Sequence, residues 1–232
     1  MNPHLVEIAY ILDRSGSMQP LQEAAISGFN QFLKSQLDVP GDARLTLVLF
    51  DDEYLVPHVA VPIQDVPELN AQIYVPRGST ALLDAIGRTI KEMGARLAPL
   101  QETDQPGKVI IAIFTDGLEN ASREYTRHHV NDLIRLCRSE KGWEFLFLAA
   151  NQDAIASAAA MAMDVNTSGN VSSTPAGYKS SGSAMSRKVR ALRMKTSGKM
   201  DVQAMEDDAK PMDEIVKEEE GRDGRLENVE DA

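Results

Sequence analysis

A single cysteine, Cys137, stands in this chain of 232 residues. An internal disulfide is excluded, and with it the cystine-stapled scaffolds of small secreted domains. Aromatic residues make up only 5%, so the core has to be mainly aliphatic. No apolar run reaches the ~18 residues that a membrane-crossing helix needs. The opening Met1-Asn2-Pro3-His4 lacks the basic start and cleavage site of a secretory leader. Together these absences lead us to expect a cytoplasmic protein with no membrane partner. Positive charge is also short. Against 35 acidic residues there are 24 Lys and Arg, a net charge of −11, which disfavours nucleic acid and anionic lipid as partners.

Familiar chemical motifs are missing too. No Gly-x-x-x-x-Gly-Lys-Ser/Thr phosphate loop and no His-Glu-x-x-His pattern occur. His128 and His129 are adjacent, so on a helix they face different directions and read as surface residues. His4 and His58 are isolated. Cys137 falls on the apolar side of a predicted helix and reads as a small core residue.

What is present is a series of apolar runs, each followed by a polar turn. Residues 5–12 are apolar except Glu7, the pattern of a strand buried on both faces. Residues 20–36 carry Leu21, Ala24, Ala25, Ile26, Phe29, Phe32 and Leu33 at helical spacing. Residues 45–50 predict a second strand. After the turn at Asp51-Asp52-Glu53, residues 54–61 predict a strand paired back as a hairpin. Pro57 and Pro62 push it to the sheet edge, where a missing amide donor is tolerated. Ile63 and Val66 are expected to pack beneath the following loop. A helix is expected from about residue 82 to Leu97, and residues 109–114 form the most apolar strand. Then come a helix at 126–139, a strand at 143–149, an Ala-rich helix at 153–162 and a short last strand at 164–167. Buried strands alternating with helices define an α/β fold with a mostly parallel sheet and one antiparallel edge strand.

The C-terminal third departs from this rhythm. Residues 169–182 are rich in Ser, Gly and Thr and read as a flexible connector. The alternative is a segment wrapping back along the sheet, which burial of Tyr178 and Leu192 would favour. Residues 184–194 predict a terminal basic helix. Residues 195–232 hold 13 acidic and 6 basic side chains and few large aliphatics. They are expected to be a disordered acidic tail, with at most a transient helix near residues 213–220. The expected division is thus a domain over 1–168, connector and helix over 169–194, and tail over 195–232.

Three polar turns stand at strand–helix junctions. The first strand runs into Asp13-Arg14-Ser15-Gly16-Ser17, in which the Asp and Ser side chains alternate and can point the same way when extended. The second is Gly78-Ser79-Thr80-Ala81-Leu82. The third is Thr115-Asp116-Gly117, after the most apolar strand. In open α/β sheets ligands sit beyond the carboxyl ends of the strands, which is where Asp13 and Asp116 lie. Carboxylates and hydroxyls are hard donors suited to Mg²⁺, with Mn²⁺ or Ca²⁺ as alternatives. Ser17 and Thr80 would serve equally as helix caps, but two neighbouring carboxylates repel unless a cation lies between them.

These three segments resemble the metal-ion-dependent adhesion site of von Willebrand factor type A domains. The likeness covers about residues 4–165. It implies a Rossmann-like three-layer α/β/α sandwich. It also implies a metal site built from Asp13, Ser15, Ser17, Thr80 and Asp116, in which an open coordination position takes a Glu or Asp from a partner protein. Asp84, on the first turn of the helix after Thr80, either supports the site by hydrogen bonding or simply favours that helix start. Stand-alone cytoplasmic members of bacterial and phage type imply an adaptor or assembly factor without enzymatic activity, with ATPases of the MoxR and chelatase type among the partners. Two other functions are open at this stage: a metal-dependent hydrolase or phosphotransferase, and a structural assembly component whose metal site is not essential. No general base stands near the motif in sequence, which weighs against hydrolysis.

Overall fold

The strand over residues 5–12 lies at the centre of the molecule. In the computed structural model, which describes residues 1–150 and 154–230, β1 spans Asn2–Asp13. It pairs in parallel with β2 (Asp42–Phe50) on one side and β4 (Pro106–Thr115) on the other. A core layer packed on each side of the sheet explains why the run is apolar on both faces. Ile8, Tyr10 and Leu12 point into one core layer and Ala9 and Ile11 into the other. The sheet has six strands in the order β3-β2-β1-β4-β5-β6, with β3 at Tyr54–Pro62, β5 at Glu144–Ala150 and β6 at Ser168–Val171. Only β3 is antiparallel. As its prolines require, it is an edge strand, and its register is broken near Ala60, whose φ is +50°. The Thr46 hydroxyl accepts from the freed Ala60 amide at 3.0 Å.

Helices cover both faces, completing the three layers. Leu82–Leu97 (α2), Arg127–Lys141 (α3) and Ala154–Ala160 (α4) close one face. Gln22–Leu37 (α1) closes the other together with Pro175–Thr196 (α5). Aromatics are few but concentrated beneath α1: the Tyr10 ring stacks on Phe114 at 4.9 Å and meets Phe29 edge-on at 5.1 Å. Ile63, Val66 and Cys137 are buried, as expected. The start of the Ala-rich helix, expected at 153, lies outside the described residues.

The C-terminal third requires correction. The stretch read as a connector is mostly helix: α5 spans Pro175–Thr196, capped by the Thr174 hydroxyl, which accepts from the Gly177 amide. Tyr178 and Leu192 are both buried, so the chain wraps back rather than dividing at residue 168. Small residues serve close helix packing here, not flexibility. A Cβ on Gly182 would stand 3.2 Å from the Gly28 Cα of α1. The short last strand is not at 164–167 but at Ser168–Val171, after a 3₁₀ turn over Val165–Thr167 capped by Asp164.

The acidic tail is also ordered. Val202–Ala209 (α6) and Met212–Glu230 (α7) pack on α5. Met212, Ile215 and Val216, at i, i+3 and i+4, form the buried stripe of α7. Arg187 of α5 pairs with Asp207, Glu218 and Glu219. The buried Lys188 ammonium donates to the carbonyls of Asp207 at 2.7 Å, Asp208 at 3.1 Å and Lys210 at 2.5 Å, where α6 ends. The basic face of α5 holds the acidic tail against the domain, so the two charge blocks explain each other. Residues 231–232 of the expected tail lie outside the described residues.

Candidate metal centre

All three polar turns emerge at the carboxyl end of the parallel strands. β1 and β4 are neighbours, with Leu12 opposite Phe114, so Asp13 and Thr115-Asp116 leave the sheet side by side. The Thr80 turn is brought over by backbone bonds. The Gly16 amide donates to the Gly78 carbonyl at 3.1 Å, Arg77 to Arg14 at 2.8 Å and Ala81 to Asp51 at 2.9 Å.

Asp13 anchors the centre. Its side chain is fully buried. Oδ1 accepts from the Ser15 amide at 2.7 Å. Oδ2 accepts from the Thr115 hydroxyl at 2.7 Å and from the Gly117 amide at 3.4 Å. Burial pushes the Asp13 carboxyl above its ordinary value, and these hydrogen bonds only partly offset it. Among the described residues no Lys or Arg forms an ion pair with Asp13. The backbone behind it is fixed as well: the Tyr74 hydroxyl donates to the Asp13 carbonyl at 2.5 Å, and burial beside Asp13 raises that phenol well above its usual value.

The hydroxyls face the same space. Ser15 Oγ lies 3.1 Å from Ser17 Oγ. Gly117 locates the third: a Cβ there would stand 2.5 Å from Thr80 Oγ1 and 3.4 Å from Ser15 Oγ. Thr80 is itself fixed, its amide donating to Asn120 Oδ1 at 2.9 Å and its carbonyl accepting from the Asn120 amide at 3.0 Å. Asp116 is buried next to Gly117, and its Oδ1 accepts from the Ser173 hydroxyl at 2.9 Å. The structure thus brings Asp13, Ser15, Ser17, Thr80 and Asp116 to one crest.

Supporting groups surround them. Asp84 accepts from the amides of Arg123, Glu124 and Tyr125 at 2.8–2.9 Å, so it holds the loop that follows Gly117 besides sitting in the first turn of α2. Glu119 ties the same loop to α2 through the Leu83 amide at 2.9 Å. Arg14 is turned away from the crest, its Nη2 3.1 Å from Asp51 Oδ2. The roles of Thr115, Tyr74, Asn120, Glu119 and Ser173 escape sequence reading. Thr115 alone had a signal, its place in Thr-Asp-Gly. Tyr74 and Ser173 reach the crest from segments with no motif.

The donor set fits a hard divalent cation. It offers two carboxylates and three hydroxyls, and one carboxylate is buried without a basic partner. Among the described residues no cluster of three or more His, Cys, Asp or Glu forms an alternative metal site. His128 and His129 lie exposed on α3, far in character from a ligand pair.

No family model matches the chain, and no curated protein matches it. Solved structures match it in fold. The vWF domain of the type V pili tip protein Mfa5 from Porphyromonas gingivalis aligns with a TM-score of 0.57 at 13% identity, over 79% of this chain and 94% of that one. Proximal thread matrix protein 1 from the mussel byssus, in a structure with a zinc-occupied MIDAS motif, aligns with a TM-score of 0.53 at 17% identity, over 81% of this chain and 46% of that one. A von Willebrand factor type A protein from Catenulispora acidiphila gives 0.52 and 16%, over 83% of this chain and 42% of that one. The chain therefore spans less than half the length of the byssus and Catenulispora chains.

Proposed function

For a chain with the von Willebrand factor type A fold, we propose the role of a metal-dependent protein-binding module. In this reading Asp13, Ser15, Ser17, Thr80 and Asp116 hold a divalent cation, Mg²⁺ under cellular conditions, and a partner contributes a Glu or Asp carboxylate to it. The observation that carries the reading is Gly117, whose missing side chain leaves Thr80 Oγ1 and Ser15 Oγ facing one space beside the buried Asp13 carboxylate. A bound cation would supply Lewis acidity and an open coordination position.

The chain's own residues supply orientation. Ser15, Ser17 and Thr80 are neutral, so they would leave positive charge on the cation for an incoming carboxylate. Asp13 is committed on both oxygens, which disfavours its use as a general base, and the histidines lie elsewhere. The site is therefore read as binding without turnover. The proposed setting is an adaptor or assembly factor in the cytoplasm, with a MoxR- or chelatase-type AAA+ ATPase as the partner class. No helix among the described residues is long and apolar enough to cross a membrane, which is compatible with that setting.

Calorimetric titration of the purified chain with Mg²⁺ and Mn²⁺ tests the cation. Capture from the host extract in Mg²⁺ and in chelator, with Asp13→Ala as control, tests the bridge. Expected are one cation per chain and a partner lost both in chelator and in the variant. Retention of the same partner in chelator would refute a metal bridge.

A further inference from the structure

The acidic C-terminal helix reaches the metal face through two adjacent serines. β6 is an edge strand, so alternate amides along it point away from the sheet. α7 accepts from one of them and from the amide just past the strand: Asp213 Oδ1 from the Asn170 amide at 3.1 Å, and Glu220 Oε1 from the Ser172 amide at 3.2 Å. Asp213 and Glu220 are seven residues apart, two helical turns, so both lie on one face of α7. At the first contact the helix start sits close to the strand, because a Cβ on Gly169 would stand 3.2 Å from the Asp213 Cα.

The next residue, Ser173, donates its hydroxyl to Asp116 Oδ1 at 2.9 Å. The turn between these two serines and α5 is tight. The Thr174 amide donates to the Ser172 carbonyl at 2.8 Å, and a Cβ on Gly177 would stand 2.3 Å from that same oxygen. A shift of Ser172 therefore cannot be absorbed within the turn without moving Ser173. α7 is in turn held to α5 by Arg187, at 3.0 Å from Glu218 and 2.7 Å from Glu219.

We infer that Ser173 and Glu220 are positioning residues of the metal site, and that the acidic C-terminal helix tunes cation affinity by holding the Ser172–Ser173 turn against Asp116. Ser173 acts on the carboxylate directly, fixing its rotamer and satisfying one of its oxygens. Glu220 acts one residue away, through the backbone amide of Ser172. A partner that lifts α7 would loosen Asp116, and a cation that orders Asp116 would favour the docked helix by the same factor. This rests on the proposed cation site, and the experiment separates the two.

The full chain is titrated with Mg²⁺ and Mn²⁺ by calorimetry, alongside Ser173→Ala, Glu220→Ala, Glu220→Gln and a double Ser173→Ala/Glu220→Ala variant. Amide NMR shifts of Asp116 and Gly117 are recorded without metal. Ser173→Ala should weaken the cation by roughly ten-fold, the lower end for groups supporting a metal ligand, and Glu220→Ala by about three- to five-fold. The double variant should be no worse than Ser173→Ala, since both lie on one path. Glu220→Gln keeps an oxygen acceptor for the Ser172 amide and should restore most of the affinity. Glu220→Ala should also shift the Asp116 and Gly117 amides in the absence of metal.

Unchanged affinity and unchanged amide shifts in Glu220→Ala, in a chain that binds the cation normally, would overturn the inference and leave the proposed function standing. Equal loss in Glu220→Ala and Glu220→Gln would overturn it too, because a charge effect would then replace the hydrogen bond. Absence of cation binding in the unmodified chain would overturn the metal site and this inference with it.

Discussion

Gly117 and Thr80 stand so close that a methyl group on the glycine would lie 2.5 Å from the threonine Oγ1. Real carbon–oxygen contacts are not that short, so Gly117→Ala must displace the Thr80 side chain. Thr80 is held by Asn120 on both its amide and its carbonyl, so its hydroxyl has to rotate rather than its backbone retreat. The fold should survive with a loss of about 1–3 kcal/mol, typical of an overpacked position. Cation affinity should fall by at least ten-fold, the size of effect seen for groups that orient a ligand. Thermal unfolding with and without Mg²⁺ separates the two quantities. A variant that binds the cation as well as the parent chain would remove Thr80 from the ligand set.

Asp13 is a buried carboxylate whose charge is disfavoured by its surroundings. Asp13→Asn removes that charge and keeps the shape. Its oxygen can still accept from the Ser15 amide, and the Thr115 hydroxyl can turn to accept from its NH2, but the acceptor for the Gly117 amide is lost. In chelator the variant should therefore lie within about 1 kcal/mol of the parent chain. With a divalent cation the two should separate. A ligand at about one hundred times its dissociation constant stabilises by about 2.7 kcal/mol, and the variant should gain none of it. The check is a pair of urea unfolding curves for each protein, in chelator and in Mg²⁺. Equal metal-induced stabilisation of both would show that the cation binds elsewhere.

The elements from β1 through β5 were legible because their signals are local. Each buried strand is a continuous apolar run, Pro57 and Pro62 mark an edge strand, the Asp13 and Asp116 turns follow strand ends, and the Thr80 turn precedes a helix. The Ser- and Gly-rich stretch misled because composition was read without its neighbour. Gly182 is adapted to Gly28, 154 residues earlier, and no window of sequence contains both. Even so, Thr174-Pro175 is a helix-start signal in its own right. The acidic tail misled for a similar reason. Three apolar side chains, Met212, Ile215 and Val216, are too few to predict a packed helix alone. They suffice when Arg187 of α5 pairs with Glu218 and Glu219 beside them and Lys188 ties down the end of α6. At the site, the five candidate residues stand out in their turns, whereas Tyr74 and Ser173 are defined only by what they touch.

Glu7 breaks the apolar run of β1, and the structure shows how it is accommodated. Its carboxylate is fully buried and accepts from Arg96 at 2.7 and 3.2 Å, with Arg44 at 3.6 Å. Glu7 sits six residues before Asp13 on an extended strand, roughly 20 Å away at ~3.3 Å per residue. Arg96→Ala should cost about 1–3 kcal/mol, because buried Glu7 loses its two short hydrogen bonds and keeps only the longer Arg44 contact. Glu7→Gln in the same chain should recover part of that loss, because a neutral amide is less costly to bury. Cation affinity should be unchanged in both variants. Denaturant unfolding gives the first two quantities and calorimetry the third; a loss in Arg96→Ala under about 1 kcal/mol would show that Arg44 or water replaces the guanidinium.

Asp201 makes the docking of α6 sensitive to acid. Its Oδ1 accepts from the Ala204 amide at 2.7 Å, and Arg190 of α5 bonds the same carboxylate. The Arg190 hydrogen bond, helped by the Ala204 amide, holds the Asp201 carboxyl below its ordinary value. The folded value is therefore the lower one. The contribution of this carboxylate is complete above the unfolded value of about 3.9 and is lost as pH falls through the folded value. Acidification from pH 7 to 5 should leave α6 in place, and release should begin only below about pH 4. The Ala204 amide shift reports it directly and should show its midpoint below the ordinary aspartate value. Arg190→Ala should move that midpoint upward, because the largest cause of the depression is gone. A midpoint unchanged by Arg190→Ala would mean that the Ala204 amide alone sets the titration, and the Arg190–Asp201 pair would then contribute nothing to holding α6 on α5.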